Sequence, residues 1–292
     1  MSMHPPEDTE RAHLLEALQK QKNQLATLRI TGTPTTVGQG LVSLAELHGL
    51  LEDHAASRQC YEEALGMFQE AGYKPGLAQA YFGMGVAKAN FEDHRGALEL
   101  IAKAAMLFNE TKDREGEAMC RACVGESLRA LGQPEAAEEK YQEALILYRQ
   151  TRNTGRTARL LLDIGDIRME KAEYEPARKR FLEAIPLLEQ GDDSEALALG
   201  HLLLGESEGL LGNHEGARSH LLRAVELYQE LHDHVHEARA RWDLGLSCYY
   251  TQDLPAAREQ LEAVLPLYEE QGRMDEVAKV RNILAHFAAR GA

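Results

Sequence analysis

The sequence predicts an all-α fold, an α-solenoid of six stacked helical hairpins, on the strength of three columns of small residues that share one grid. The first column, here called the glycine column, recurs every 40 residues without a slip and comprises Ala45, Gly85, Gly125, Gly165, Gly205 and Gly245. The other two columns are Ser57, Ala97, Ala137, Ala177, Ala217 and Ala257, then Ala64, Ala104, Ala144, Ala184, Ala224 and Val264. A strict period of about 20–50 residues is typical of stacked-repeat proteins.

Large apolar residues complete each 40-residue unit and assign its two helices. One lies between the two alanine columns and another lies four residues after the second. They are Tyr61, Ile101, Tyr141, Phe181, Leu221 and Leu261, then Phe68, Phe108, Tyr148, Leu188, Tyr228 and Tyr268. Offsets of three, four and seven place such residues on one stripe of a helix. Each unit is therefore predicted to be a hairpin in which helix A carries the glycine column and helix B carries both alanine columns.

This pattern resembles the tetratricopeptide repeat (TPR), in which an apolar residue and Gly are followed by Ala, an aromatic residue and Ala. The resemblance covers about Gly38 to Leu284. The period exceeds the usual ~34 residues, because Ala104 and Gly125 are 21 residues apart. The long form is similar to the repeats of kinesin light chain, the Partner-of-Inscuteable adaptors and bacterial peptide-sensing regulators. The resemblance implies a right-handed superhelix whose concave groove is formed by the A helices.

The ends of the chain are predicted to cap the repeat array, since terminal repeats of solenoids need a covered apolar face. The expected divisions are a disordered tail at 1–8, an N-terminal capping helix and break at 9–34, six TPR-like repeats at 35–273, and a C-terminal capping helix at 274–292. In the last helix, the face expected to turn inward carries Val277, Val280, Ile283, Leu284 and Phe287.

The chain is acidic, with 47 Asp and Glu against 32 Lys and Arg and a net charge of −15. This charge argues against nucleic acid and anionic membranes as partners and permits a basic protein partner. No stretch of about 18 apolar residues is present, and Met1–Arg11 lacks the apolar core of a secretory signal. The four cysteines show no disulfide spacing. We expect a cytoplasmic protein that is a monomer or a weak homodimer.

Two segments carry metal-capable side chains, and each has a structural alternative. Cys120-x-x-Cys123 falls inside a predicted helix, which favours two small buried residues over a redox or metal motif. His232-Asp-His-Val-His236 could ligate zinc, but Asp233 is also placed to cap the next helix, which we favour. The chain contains neither a Gly-rich phosphate loop nor a nucleophile elbow. We therefore predict no enzymatic activity, catalytic residue, cofactor or metal.

A column of groove-facing positions follows from the resemblance, one residue after each member of the glycine column. This acidic column comprises Glu46, Val86, Glu126, Asp166, Glu206 and Leu246. In carboxylate-clamp TPR proteins the same column carries Asn with basic residues nearby, so chaperone C-terminal carboxylates are not expected ligands. Its four carboxylates predict a basic partner; the alternative is a solvated acidic face.

The last repeat concentrates the residue types that most often anchor interfaces, which are Trp, Tyr and Arg. Trp242 is the only tryptophan, Arg239 precedes it by one turn, and Tyr249 and Tyr250 end the same helix. The alternative is that these aromatic side chains pack against the terminal helix. Both interpretations stay open at this point.

The predicted function is a non-enzymatic scaffold or adaptor that binds an extended or helical, basic partner segment in its groove. The candidate partner-binding residues are Glu46, Phe82, Glu126, Arg129, Arg159, Asp166, Glu206, Arg239, Trp242, Tyr249 and Tyr250. The alternative is a regulatory sensor whose groove binds a small peptide and changes the shape of the superhelix. A sensor usually needs an output domain, and the repeats leave no room for one, so an adaptor is favoured.

Overall fold

The structure is a computed structural model that describes the backbone of residues 5–289 and the side chains of residues 11–287, and over this range it contains fourteen α-helices and no strand. The helices form two compact units, which divide between Thr151 and Arg152. The helices of unit 1 are α1 (Pro5–Thr31), α2 (Pro34–Leu50), α3 (His54–Glu70), α4 (Lys74–Asn90), α5 (His94–Thr111), α6 (Arg114–Ala130) and α7 (Pro134–Thr151). Those of unit 2 are α8 (Thr154–Glu170), α9 (Tyr174–Leu188), α10 (Ser194–Leu210), α11 (His214–Glu230), α12 (His234–Tyr250), α13 (Leu254–Glu270) and α14 (Met274–Ala289).

Each unit contains three A–B hairpins, and a further helix packs at the beginning of unit 1 and at the end of unit 2. The A helices are α2, α4 and α6 in unit 1 and α8, α10 and α12 in unit 2. The fold is therefore an all-α helical-repeat solenoid. Helix α1 begins at Pro5, inside the segment 1–8 that we expected to be disordered, and residues 1–4 lie outside the described residues.

The glycine column lets a large side chain of helix B reach the backbone of helix A. A Cβ atom added to Gly125 would lie 2.5 Å from the ring of Tyr141, and one added to Gly165 would overlap the ring of Phe181. Tyr141 and Phe181 are themselves almost completely buried. The two sequence columns, 16 residues apart, are thus the two sides of one contact that recurs in the five hairpins with a glycine at this position.

The alanine columns line the packed interior of the hairpins. Every member of these two columns is inaccessible to solvent except Ser57, of which 2% is exposed. Small side chains at these positions allow neighbouring helices to approach closely, and interiors packed this tightly tolerate little change in volume.

The connections between helices repeat every twenty residues, half the period of the hairpin. A left-handed backbone conformation occurs at Glu52, Gly72, Glu92, Lys112, Gly132, Arg152, Ala172, Gly212, His232, Gln252 and Gly272. Asp192 occupies the remaining position of this series and does not adopt it, and helix α9 ends early, at Leu188. The residue one position after a member of this series often caps the next helix through its side chain. These capping residues are Asp53, Asp93, Asp113, Asn153, Asp193, Asn213, Asp233 and Asp253. A left-handed residue followed by an Asx cap ends one helix and starts the next.

Helix α14 covers the last hairpin of unit 2 with the face predicted for it. Val277, Val280 and Phe287 are at most 2% exposed. The ring of Phe287 stacks on Tyr249 at 5.6 Å between centroids. No helix over the described residues combines the length and apolar character needed to cross a membrane.

Candidate functional site

Unit 2 contains a cavity of about 1060 Å³, here called the unit 2 cavity. Its walls come mainly from the A helices α10 and α12, and α11, α13 and α14 also contribute; their residues are His214, Leu221, Tyr268, Glu276 and Lys279. Four residues singled out from the sequence line it together: Glu206, Arg239, Trp242 and Tyr250. The folding of two neighbouring repeats therefore brings members of both the acidic column and the aromatic cluster into one space.

Trp242 has both of the environments that the sequence left open. Its side chain is half-buried and packs against the hydrophobic core of unit 2, and it also lines the cavity. A tryptophan held on one side by the core is rigid and presents its other side to a ligand at little conformational cost.

The two tyrosines at the end of α12 have different surroundings. Tyr250 is 59% exposed, lines the cavity and stacks on His214 at 4.4 Å between ring centroids. Tyr249 is half-buried, stacks on Phe287 and is not among the cavity residues. The ring of Tyr249 therefore packs against the terminal helix α14, which is the alternative given from the sequence.

Arg239 and Glu206 form a bidentate ion pair across the cavity wall. The Nε–Oε1 distance is 2.5 Å and the Nη2–Oε2 distance is 2.7 Å. Charge-assisted pairs of this kind fix the carboxylate plane. Both oxygen atoms of Glu206 therefore have a defined orientation toward α12.

Asp243 is the residue of this site that the sequence analysis missed. It lines the cavity together with Glu206 and Arg239. Burial, followed by the negative charge of the neighbouring Glu206, raises the pKa of Asp243 from its ordinary value of 3.8 to about 8. Two neighbouring carboxyl groups cannot both ionise readily. Burial and the neighbouring Glu206 carboxylate thus disfavour the charged form of Asp243.

The basic residues at the α14 side of the cavity are engaged in other contacts or lie at its edge. Arg273 pairs with Glu276 at 3.0 Å, and its guanidinium lies 4.7 Å from the centroid of the Tyr268 ring. Lys279 lines the cavity with an exposed side chain. The α14 side of the cavity thus combines a cation–π contact, one ion pair and a solvent-facing ammonium group.

The remaining candidates in unit 2 lie on α8. Arg159 pairs with Asp193 at 2.6 Å, which ties α8 to the residue that caps α10. Asp166 is half-buried, and its charge helps to raise the pKa of Arg239, together with those of Glu206 and Asp243. Three carboxyl groups thus act on the single guanidinium of Arg239.

Four candidates belong to unit 1, where the structure describes them separately from the cavity. Glu46 and Glu126 are exposed, whereas Phe82 and Arg129 are half-buried. The ring of Phe82 lies 6.5 Å from that of Phe108, so part of its surface contributes to packing. Protein atoms around Glu46 displace part of its hydration and raise its pKa, although solvent still reaches the side chain.

The two metal-capable segments have structural roles in the fold. Asp233 accepts hydrogen bonds from the backbone amides of Val235 and His236 and so caps α12, as we favoured from the sequence. Burial raises the pKa of the Cys120 thiol to about 12, which keeps it protonated and unreactive. Among residues 11–287, no group of three or more His, Cys, Asp or Glu side chains is arranged to hold a metal ion.

The family of the chain follows from three matched segments. The model of the tetratricopeptide repeat matches residues 36–110, 117–190 and 194–270, each about two of the 40-residue hairpins. The chain belongs to the tetratricopeptide repeat family. The TPR columns described above are therefore family positions. Among curated proteins, none matches the sequence.

Solved structures with a similar fold come from proteins of different roles. BtubC (BKLC) from P. vanneervenii is 18% identical, with a TM-score of 0.63 over 77% of this chain and 92% of its own. The apo form of the quorum sensor NprR from B. thuringiensis is 18% identical, with a TM-score of 0.64 over 97% of this chain and 81% of its own. The Rap conjugation gene regulator of plasmid pLS20, in complex with the Phr* peptide, is 16% identical, with a TM-score of 0.54 over 87% and 73%. At these identities the likeness concerns the fold alone.

Proposed function

We propose that this TPR protein is a non-enzymatic interaction module, a scaffold or adaptor, that binds an extended or helical segment of a basic partner protein. The observation that supports this most directly is the unit 2 cavity, whose wall combines Trp242 and Tyr250 with the charged group of Glu206, Arg239 and Asp243. TPR proteins are generally interaction scaffolds, and no catalytic family matches the chain.

The size and lining of the cavity suit side chains of a bound segment. Ligand pockets are commonly about 300–1,000 Å³ and carry a few polar groups on a mainly apolar wall. Trp, Tyr and Arg near the centre of an interface account for most of the binding energy in many complexes. Trp242 is the residue we expect to contribute most, because its ring is already fixed by the core.

The sign of the charges supports a basic partner. Asp166, Glu206 and Asp243 all act on Arg239, and the whole chain carries a net charge of −15. Complementary charge increases association rates and selects partners more than it adds affinity. A nucleic acid or an anionic membrane would be repelled by the same field.

We propose a cytoplasmic setting for this function. Cys60, Cys120, Cys123 and Cys248 are all free thiols, and Cys120 and Cys248 are buried. Free cysteines of this kind are typical of proteins from reducing compartments. A monomer or weak homodimer fits a role in which the A-helix face serves a different protein.

A peptide sensor is the second candidate, and the similarity to solved regulators favours keeping it. NprR is described as a quorum sensor, and the pLS20 Rap regulator was solved with the Phr* peptide. In a sensor, a small peptide would occupy the same cavity and change the arrangement of the repeats. Small-angle X-ray scattering with and without a selected peptide separates the two: a sensor changes its radius of gyration, whereas an adaptor keeps it.

The first test uses peptides selected from a random displayed library on the full chain. Trp242→Ala is expected to weaken binding of the selected peptides by about 2 kcal/mol, roughly 30-fold in Kd, because it removes a rigid aromatic contact. Isothermal titration calorimetry measures the Kd. The control is Leu222→Ala, which removes a 48% exposed side chain from the B helix α11.

Two results would count against the proposal. One is a library from which no peptide is retained. The other is equal affinity of the wild type and Trp242→Ala for the selected peptides while both remain folded by circular dichroism.

A further inference from the structure

We infer that the hydrogen bond between His201 and His220 is an acid-sensitive link between helices α10 and α11, and that losing it opens the wall of the unit 2 cavity. These two residues are here called the histidine pair. The inference goes beyond the proposed function, because it concerns how the shape of the cavity responds to pH, whichever ligand the cavity binds.

The histidine pair joins the two helices of the fifth hairpin through one hydrogen bond. The Nδ1 atom of His201 on α10 and the Nδ1 atom of His220 on α11 are 3.1 Å apart. The centroids of the two rings are 5.3 Å apart, so the two nitrogen atoms lie between the rings and point toward each other. One of them carries a proton and the other a lone pair, because the bond needs one donor and one acceptor.

A second added proton is incompatible with this hydrogen bond. A neutral imidazole has one donor and one acceptor nitrogen, whereas both nitrogen atoms of an imidazolium are donors. The bond therefore survives when one ring is charged, because the other ring still accepts. When both rings are charged, two N–H groups and two positive charges oppose each other at hydrogen-bond distance, and the rings separate.

The position of the pair in the fold makes that doubly charged state costly. His201 is 7% exposed and His220 is half-buried. Burial, followed by the charges of His220 and Arg223, lowers the pKa of His201 from its ordinary value of 6.5 to about 4. Burial also lowers the pKa of His220, while the charge of Glu208 opposes this change. As the pH falls, His220 therefore takes up the first proton and His201 the second.

The charged groups that act on the pair already have partners. Arg223 of α11 pairs with Glu226 at 2.9 Å. Arg178 of α9 holds Glu208 at 2.7 Å. Because Glu208 already compensates a guanidinium group, it stabilises a charged histidine pair only weakly.

The neighbouring hairpins carry no carboxylate at the positions equivalent to the pair. These positions hold Leu161 and Arg180 in the fourth hairpin and Arg241 and Gln260 in the sixth. Arg180 on α9 pairs with Glu183. Arg241 on α12 pairs with Glu237. Neither hairpin thus supplies a carboxylate at these positions to neutralise a second proton on the pair.

A close contact between α10 and α11 in the cavity wall lies next to the histidine pair. Gly205 follows His201 by about one helical turn, and Leu221 directly follows His220. Gly205 and Leu221 both line the cavity, and a Cβ atom added to Gly205 would lie 2.5 Å from Cγ of Leu221. Separating the two histidine rings therefore also separates Gly205 from Leu221 and widens the cavity on this side.

The first measurement is nuclear magnetic resonance of the full chain with isotope-labelled histidine. At neutral pH, a scalar coupling between the two Nδ1 atoms should be detected across the hydrogen bond. On acidification, His201 should titrate at about pH 4, and the coupling should disappear with that titration. Absence of the coupling at neutral pH, or titration of His201 near its ordinary value of 6.5, would overturn the inference.

Two double variants remove the titratable pair while keeping residue types that the repeats already use. One combines His201→Leu with His220→Leu, since leucine occurs in both columns elsewhere in the chain. The other combines His201→Arg with His220→Gln and copies the hydrogen bond that Arg241 donates to Gln260 at 2.8 Å. Neither variant has a titratable group at these positions between about pH 4 and 6.5.

Thermal unfolding at several pH values measures the effect of the pair on stability. The unfolded chain binds the second proton more tightly than the folded chain does, so Tm should fall as the pH drops from 6.5 toward about 4. Wild type should lose about 5 °C more than either double variant over this range. The control His232→Asn, which removes an exposed histidine from a turn, should lose as much as wild type. Equal losses in wild type and both double variants would overturn the inference.

The fluorescence of Trp242 reports on the cavity, because it is the only tryptophan and lines the cavity wall. In wild type and in His232→Asn, its emission should shift to longer wavelength over the same pH range while circular dichroism shows that the helices remain. In the two double variants the shift should be smaller. An emission that does not change in wild type, or that changes equally in all four proteins, would overturn the link between the pair and the cavity.

None of these measurements uses a ligand. Their outcome is therefore independent of the peptide selection that tests the proposed function, and either proposal can fail while the other stands.

Discussion

A carboxyl group that stays protonated near neutral pH makes Asp243 a destabilising residue in the folded chain. The native state raises its pKa, so the folded protein binds this proton more tightly than the unfolded chain does. The proton on Asp243 therefore stabilises the folded state. This contribution to the free energy of unfolding is fully present below the ordinary pKa of 3.8 and is lost as pH rises toward about 8. Above about pH 8, Asp243 causes no further change in the free energy of unfolding.

Asp243→Asn is therefore expected to raise the free energy of unfolding at pH 8 by about 1 kcal/mol or more. At pH 3 the same substitution should change it little, because the native and unfolded carboxyl groups are then both largely protonated. Urea denaturation at the two pH values measures the difference. Asp192→Asn should show no such dependence, and equal stability of wild type and Asp243→Asn at pH 8 would contradict the assignment.

The backbone of Ala172 is in the left-handed region, which lowers the stability of the folded chain. This residue adopts φ 57° in the turn between α8 and α9, a region that costs a non-glycine residue about 1–2 kcal/mol. Gly72, Gly132, Gly212 and Gly272 occupy the equivalent turns.

Ala172→Gly is thus expected to stabilise the protein by about 1 kcal/mol, seen as a higher Tm in calorimetry. The same substitution at Ala102, an exposed position inside α5, should have the opposite sign and cost about 1 kcal/mol. A loss of stability in both variants would show that the turn does not impose this strain.

At the scale of elements, the sequence predicts the hairpins well, because each boundary rests on local chemistry. A left-handed turn residue and an Asx cap recur at fixed offsets, and they specify where helices end without reference to distant contacts. The start of α1 and the early end of α9 depart from the regular pattern. At Asp192 the left-handed residue of the series is missing, so the turn there has a different length.

The site is less predictable than the fold for a geometric reason. Glu206 stands in the acidic column, whereas Asp243 lies two residues before the glycine column and lines the same cavity from a position 37 residues further along the chain. Residues of one column occupy the same offset in every repeat. Glu206 and Asp243 have different offsets on adjacent helices, so no column relates them. Tyr249 illustrates the converse, because its spacing from Trp242 indicates a shared face, yet its ring packs on Phe287.

Helix α14 is the element whose loss should matter most to unit 2. Phe287 is 2% exposed and stacks on Tyr249. Phe287→Ala is expected to lower the free energy of unfolding by about 3–5 kcal/mol, because it leaves a cavity at the end of the core. Asn282→Ala, an exposed position of the same helix, is the control.

Deleting residues 275–292 should have a larger effect than Phe287→Ala, with aggregation or a marked fall in Tm. The physical reason is exposure of the apolar surface that Val277 and Val280 cover. Equal melting of the truncated and full chains would mean that α14 does not cap the repeats.

At the scale of the whole molecule, the acidic charge is expected to act mainly on association rate. Single exposed ion pairs contribute about 0–1 kcal/mol, but many charges of one sign steer an oppositely charged partner. Glu46 and Glu126 are exposed members of the acidic column in unit 1 and are not part of the unit 2 cavity.

Reversing Glu46 and Glu126 to Lys should slow association with a selected basic peptide and flatten its dependence on salt. Stopped-flow fluorescence of Trp242 between about 50 and 300 mM salt, a range over which screening changes strongly, measures both. Reversing Glu62 and Glu139, exposed positions on the B helices α3 and α7, changes the net charge equally. If both pairs reduce the rate alike, the acidic column serves solubility alone.

The twenty-residue spacing of the turns has a consequence for how this chain can change over evolutionary time. Duplication or loss of a 40-residue segment leaves every later helix with the same start, stop and inward face. Deletion of one residue inside a helix instead rotates the remaining positions by about 100° and turns the alanine columns away from their partners. Insertions and deletions are therefore compatible with the fold in whole hairpins, so the length of such a protein changes in steps while its register is preserved.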